Sequence, residues 1–88
     1  RRMAATERDP ETPEELDARG LLCPLPVLKA RRRLRALPAG ARLALLADDP
    51  AAVVDVPHFC AEAGHLLEDE TPLDAGARRF VIRKGASA

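Results

Sequence analysis

Two spacings of apolar positions alternate along this chain, and their alternation predicts its elements. After Pro24, Val27, Ala30, Leu34 and Leu37 recur at intervals of three and four, the repeat of one helix face. Lys29, Arg32, Arg33 and Arg35 fall mostly off that face, and cations late in a helix suit its dipole. Pro38 and Gly40 close this helix, predicted from Pro24 to about Leu37. Arg42 to Asp48 reads as a strand, with Leu43, Leu45 and Ala47 on one side and Ala44 and Leu46 on the other. Apolar residues on both faces mark a central strand. Asp48-Asp49-Pro50 then offers an acid cap and a proline for a second helix start. The stripe Val53, Val56, Cys60, Ala63 carries that helix to Gly64, a suitable C-terminal residue. Pro57 falls inside the stripe and predicts a kink or a fresh start.

The remaining elements are extended. Leu16-Asp17-Ala18 reads as a short first strand and Gly20 as the turn after it. His65 to Pro72 and Arg78 to Lys84 form a hairpin around Asp74-Ala75-Gly76. The order β-α-β-α-β-β predicts a two-layer α/β sandwich, with both helices on one face of a four-stranded sheet. Parallel neighbours in it should be joined by right-handed crossovers. Residues 1–14 lack any apolar period and contain Pro10 and Pro13, so they are read as a disordered tail. The expected domain is 15–85, with 86–88 a C-terminal tail.

With 88 residues, one domain is the sensible count. Phe59 and Phe80 are the sole aromatics, so the core must be built of Leu, Val, Ile and Ala. Net charge is zero, yet the charges are segregated. Eight acids and no Lys or Arg lie between Leu43 and Ala77, while cations gather in Lys29–Arg35 and Arg78–Lys84. Such runs are commonly solvated faces; together they also make a local field that net charge hides. No stacking aromatics accompany the basic helix, so direct nucleic-acid binding is not expected, and an acidic protein is the better partner for it. No stretch reaches membrane-spanning length and no apolar signal segment is visible. The expected compartment is the cytoplasm, with both thiols reduced.

Chemistry concentrates at Cys23-Pro24-Leu25-Pro26. Gly20 turns the chain so that Cys23 arrives at the first turn of the helix. The dipole there favours a thiolate, and Arg19, four residues earlier, can add to the field. Pro24 holds Cys23 extended and fixes its own φ. Pro26 removes a further N–H from the turn, weakening the donor set. The expectation is a rigid, exposed sulfur with a modestly lowered pKa, suited to a carrier that must load and release. Free cysteines also often serve as buried apolar packing, and Cys60, on the apolar stripe, fits that description. The two cysteines form no C-x-x-C motif. His58 and Cys60, two apart on a helix, fall on different faces, so no metal site is expected, and no cofactor. His58 and His65 read as surface or packing residues. Three classes stay open: a sulfur carrier, a regulatory or interaction module docking through its basic helix, and a thiol redox protein pairing Cys23 with Cys60.

The chain also resembles the TusA/SirA-like sulfur-carrier family over about Leu16 to Gly85. The resemblance rests on Leu16-Asp17-Ala18-Arg19-Gly20-Leu21-Leu22-Cys23-Pro24-Leu25-Pro26, then Ala47-Asp48-Asp49-Pro50, then Asp55-Val56-Pro57 with Phe59-Cys60, and last Ile82-Arg83-Lys84-Gly85. It implies two helices packed on one face of a four-stranded mixed sheet. It implies that Cys23 accepts sulfane sulfur as a persulfide from a cysteine desulfurase or rhodanese-like donor. Pro24, Pro26, Arg19 and Gly20 would support the motif. The sulfur would pass to a downstream acceptor protein, with tRNA 2-thiouridine synthesis, sulfur oxidation and molybdenum-cofactor metabolism as possible ends. Such a protein is a relay rather than a stand-alone enzyme. Lys29, Arg32, Arg33, Arg83 and Lys84 would dock partners electrostatically. Members serving tRNA thiolation often carry Arg before the cysteine and Glu between the prolines; Leu22 and Leu25 stand there in this chain.

Overall fold

The elements follow one another as β1 (Glu14–Asp17), α1 (Leu25–Arg35), β2 (Arg42–Ala47), α2 (Ala52–Ala63), β3 (Leu66–Pro72) and β4 (Arg78–Arg83). These come from a computed structural model that describes residues 12–86. The sheet order is β1-β2-β4-β3. β1 runs parallel to β2, whereas β4 is antiparallel to both β2 and β3. This is the mixed four-stranded sheet and two-helix layer expected from the sequence.

Register decides what each face carries. Leu16 opposes Leu45, Leu43 opposes Ile82, and Leu45 opposes Phe80. These residues meet Ala30 and Leu34 of α1 and Val56, Phe59 and Cys60 of α2 in one core. Fully burying a Leu, Ile or Phe side chain contributes roughly 1.5–3 kcal/mol. On the other face Ala44 pairs with Val81 and Leu46 with Arg79. Ala44, Leu46 and Val81 are buried although, among the described residues, no helix lies over them; flanking Arg42, Arg79 and Arg83 have long aliphatic stems suited to covering small apolar residues.

β3 reaches this arrangement through an irregularity. Leu67 opposes Ile82 while Asp69 opposes Val81, so Glu68 is the extra residue of a bulge. From there the side-chain alternation shifts by one. Glu70 therefore lies on the helix face, bound to Arg78, and Glu68 bonds both Arg42 and Arg83. Glu68 and Glu70 of the acidic β3 are thus paired with Arg42, Arg78 and Arg83 across the β3–β4–β2 ladder.

Several boundaries differ from expectation. Glu14, read as the end of the tail, opens β1: its backbone pairs with Leu43 and its carboxylate holds Arg33. The rest of the predicted tail lies mostly outside the described residues, as do residues 87–88. α1 begins at Leu25 rather than Pro24, whose φ of −99° and ψ of 18° leave it as the N-cap. α2 begins at Ala52 and runs unbroken past Pro57 to Ala63. An interior proline costs about 3 kcal/mol, but burial of Val56 and Phe59 on either side of it offsets at least that much. Ala52 rather than Val53 joins the buried stripe, leaving Val53 exposed.

Candidate functional site

Parallel pairing of β1 and β2 sends the loops that follow them to the same edge of the sheet. The first carries Gly20 and Cys23, the second Asp48 and Asp49. Gly20 adopts φ +86°, a left-handed conformation that glycine enters without steric cost. Its N–H donates to Asp48 Oδ1 at 3.0 Å. The Cys23 N–H donates to Asp49 Oδ2 at 2.5 Å. The Cys23 thiol in turn donates to Asp55 Oδ2, in the first turn of α2, at 2.9 Å. Three carboxylates from the β2–α2 region therefore hold the cysteine loop at its turn, its backbone and its sulfur.

Cys23 is exposed. It precedes the N-cap Pro24 and is joined to it by a cis peptide bond. The Leu25 N–H donates back to the Leu22 carbonyl at 2.8 Å. The sulfur thus meets a carboxylate, and the expected lowering of its pKa is not found. The hydrogen bond to Asp55 raises the thiol pKa first, then desolvation, then the charges of Asp55 and Asp49. Arg19 does not reach back to the sulfur. Its guanidinium makes a bidentate pair with Asp17, at 2.9 and 2.8 Å, and this holds the Asp17 carboxyl down at about 2.

Cys60 behaves as the sequence predicts. It lies buried among Leu34, Phe59 and their neighbours, and burial pushes its thiol up to about 11. No disulfide joins the cysteines. His65 is a packing residue: its Nδ1 accepts the Gly85 N–H at 3.1 Å, and its ring lies 5.5 Å from that of Phe59. His58 is exposed beside Glu62. Among the described residues no three His, Cys, Asp or Glu side chains gather as metal ligands.

The five basic residues read as docking candidates lie on α1 and at the end of β4, and three of them have partners within the fold. Arg33 is bound to Glu14. Arg83 is shared between Glu68 and the Gly40 carbonyl, and Lys84 donates to the Leu37 carbonyl at 2.7 Å. Arg83 and Lys84 also sit at the opposite edge of the sheet from Cys23. Lys29 and Arg32 remain exposed on α1. Leu22 and Leu25, which flank the Cys23-Pro24 pair in sequence, are exposed, as are Leu28 on α1 and Val53 and Val54 in the first turn of α2, next to Asp55. A groove of about 610 Å³, lined by Arg31, Arg35, Phe59, His65 and Lys84 among others, opens at the far ends of the helices. Cys23 is presented on an exposed loop instead.

Sequence reasoning missed Asp49 and Asp55 as partners of the cysteine. The available signal was topological: acids just after a strand parallel to β1 must share an edge with the loop after β1.

The family model described as sulfurtransferase TusA matches residues 14–84. Among solved structures, the crystal structure of a SirA-like protein from Desulfitobacterium hafniense is similar, with a TM-score of 0.72 and 28% identity. That match covers 81% of this chain and 96% of the other.

Proposed function

Since this chain belongs to the TusA sulfurtransferase family, we propose that it carries sulfane sulfur as a persulfide on Cys23. The donor is a cysteine desulfurase or rhodanese-like protein, and the acceptor a downstream protein in a route such as tRNA 2-thiouridine synthesis. The observation that carries this reading is the contrast between the thiols: Cys23 exposed on a loop held by hydrogen bonds, Cys60 sealed in the core. Transfer is a thiol–persulfide exchange, so it depends on access to the attacking sulfur and on its ionisation. Exposed Leu22 and Leu25 on the cysteine segment, and Val53 and Val54 in the turn of α2 that carries Asp55, offer apolar contacts to a partner. Lys29 and Arg32 add exposed positive charge along α1. The relay is proposed for the cytoplasm, where free thiols stay reduced.

The test is intact mass after incubation with a desulfurase and cysteine, followed by peptide mapping. One added sulfur on Cys23, absent from Cys23→Ser, is the expected result. Wild-type protein that gains no sulfur at Cys23 from desulfurase or rhodanese donors overturns the reading.

A further inference from the structure

We infer that Asp55 distinguishes the empty carrier from the loaded one, holding the sulfur in the first state and releasing it in the second. The inference rests on the reading of Cys23 as the persulfide site and assigns a positioning role to a residue outside the C-P-x-P segment. In the empty protein Sγ carries a hydrogen and donates it to Asp55 Oδ2 at 2.9 Å. Charged groups surround this contact on each neighbouring element. Asp55 comes from α2, Asp49 and Asp48 come from the β2–α2 loop, and Arg19, on the cysteine loop, is engaged with Asp17. Asp49 is committed to the Cys23 backbone, so Asp55 is the carboxylate that touches the sulfur.

Loading changes what that carboxylate meets. The Cys23 thiol gives up its proton, and Sγ bonds to the outer sulfur of the donor persulfide. The donor's S–S bond breaks, and its electron pair goes to the donor cysteine sulfur, which takes up a proton. The exchange is balanced: a thiol and a persulfide become a persulfide and a thiol, and no external oxidant enters. Sγ now carries no hydrogen and has nothing to donate to Asp55. The outer sulfur belongs to a stronger acid than a thiol, so at neutral pH it is readily anionic. Its neighbours Asp55 and Asp49 repel it. The loaded sulfur therefore swings away from α2 into solvent, where an acceptor meets it, while the empty sulfur stays docked. Asp55 favours the empty state twice, by bonding the thiol and by repelling the persulfide anion, and so makes the carrier readier to give sulfur than to keep it.

Asp55→Asn keeps the size of the side chain and removes the charge. Two readouts follow that a merely structural role leaves unmoved. The pH profile of Cys23 alkylation by iodoacetamide should move to lower pH, because the hydrogen bond and charge that oppose ionisation are weakened. Since nucleophilicity falls with pKa, the rate at pH 7 should rise only about threefold. At equilibrium with glutathione persulfide and glutathione, Asp55→Asn should hold several-fold more sulfur on Cys23 than wild type, with Asp55→Glu restoring wild-type behaviour. An unshifted pH profile together with unchanged occupancy in Asp55→Asn overturns the inference, provided wild type loads. Failure of wild type to load from any persulfide instead removes the underlying reading. If Asp55→Asn does not fold, titration of the Cys23 thiolate by ultraviolet absorbance in Cys60→Ala protein decides. An apparent pKa above that of a free cysteine supports the inference, and one at or below it overturns it.

Discussion

At one edge of the sandwich, Cys23 rests on carboxylates lent by the loop after β2 and the start of α2. At the other, Gly64 and Gly85 bring two backbones so close that a Cβ on Gly85 would overlap the Gly64 carbonyl oxygen. The first edge is held by side-chain hydrogen bonds that a partner can compete for. The second is held by contact between main chains, reinforced by Gly40 N–H to the Lys84 carbonyl at 2.9 Å and Lys84 Nζ to the Leu37 carbonyl. The cysteines repeat the contrast. Both thiols are harder to ionise than usual, Cys23 because a carboxylate accepts its proton and Cys60 because the core excludes water. A raised thiol pKa therefore does not by itself mark an inert cysteine; its cause does.

Changes at the closed edge should alter stability and leave the sulfur's chemistry alone. Gly85→Ala should have the largest effect, about 3 kcal/mol of lost stability in urea denaturation, because neither backbone can give way. A parallel change in Cys23 alkylation of the folded protein would break the comparison by coupling the two edges. Cys60→Ser should cost about 1–3 kcal/mol, since a buried hydroxyl replaces an apolar sulfur without a hydrogen-bond partner. The Cys23 alkylation profile should stay where it is.

A smaller effect belongs to the turn between β3 and β4, which lies at the Cys23 edge. Ala75 there has φ +60°, a left-handed conformation costing an L-residue about 1–2 kcal/mol. Glycine removes that cost but gives back part of it through the entropy of the unfolded chain. Ala75→Gly should therefore stabilise the protein by about 0.5–1 kcal/mol, read as a higher urea midpoint, with Cys23 reactivity unchanged. The smallest effect concerns pH. Burial, and then the charge of Lys84, hold the His65 imidazole below its ordinary 6.5. The unfolded chain binds that proton more readily. The His65 contribution is thus complete above pH 6.5 and is lost as pH falls through the folded value. His65→Gln should flatten that part of the stability curve in urea titrations at successive pH values.

The comparison also explains what the sequence made legible. Helix faces, the two-faced β2 and the β3–β4 hairpin all follow from periodicity, because burial selects apolar residues at fixed spacing. Cys60 was readable for the same reason. The bulge at Glu68 was not, since it interrupts the alternation that strand reading depends on. Nor was the environment of Cys23. Local rules place a cysteine before a helix and infer a lowered pKa from the dipole, but the deciding charges come from Asp49 and Asp55, 26 and 32 residues away. The partners of Arg33, Arg83 and Lys84 within the fold were hidden for a related reason: they come from strand register and helix packing, which composition does not encode.

The clamp that Asp48, Asp49 and Asp55 place on the cysteine loop has a consequence for engineering. Cys23-Pro24-Leu25-Pro26 is not a portable cassette. Grafted onto the start of another helix, the four residues would carry the turn and the sulfur but leave behind the carboxylates that hold them. The transferable unit is the pair of parallel strands together with both loops that follow them, extending through the first turn of α2.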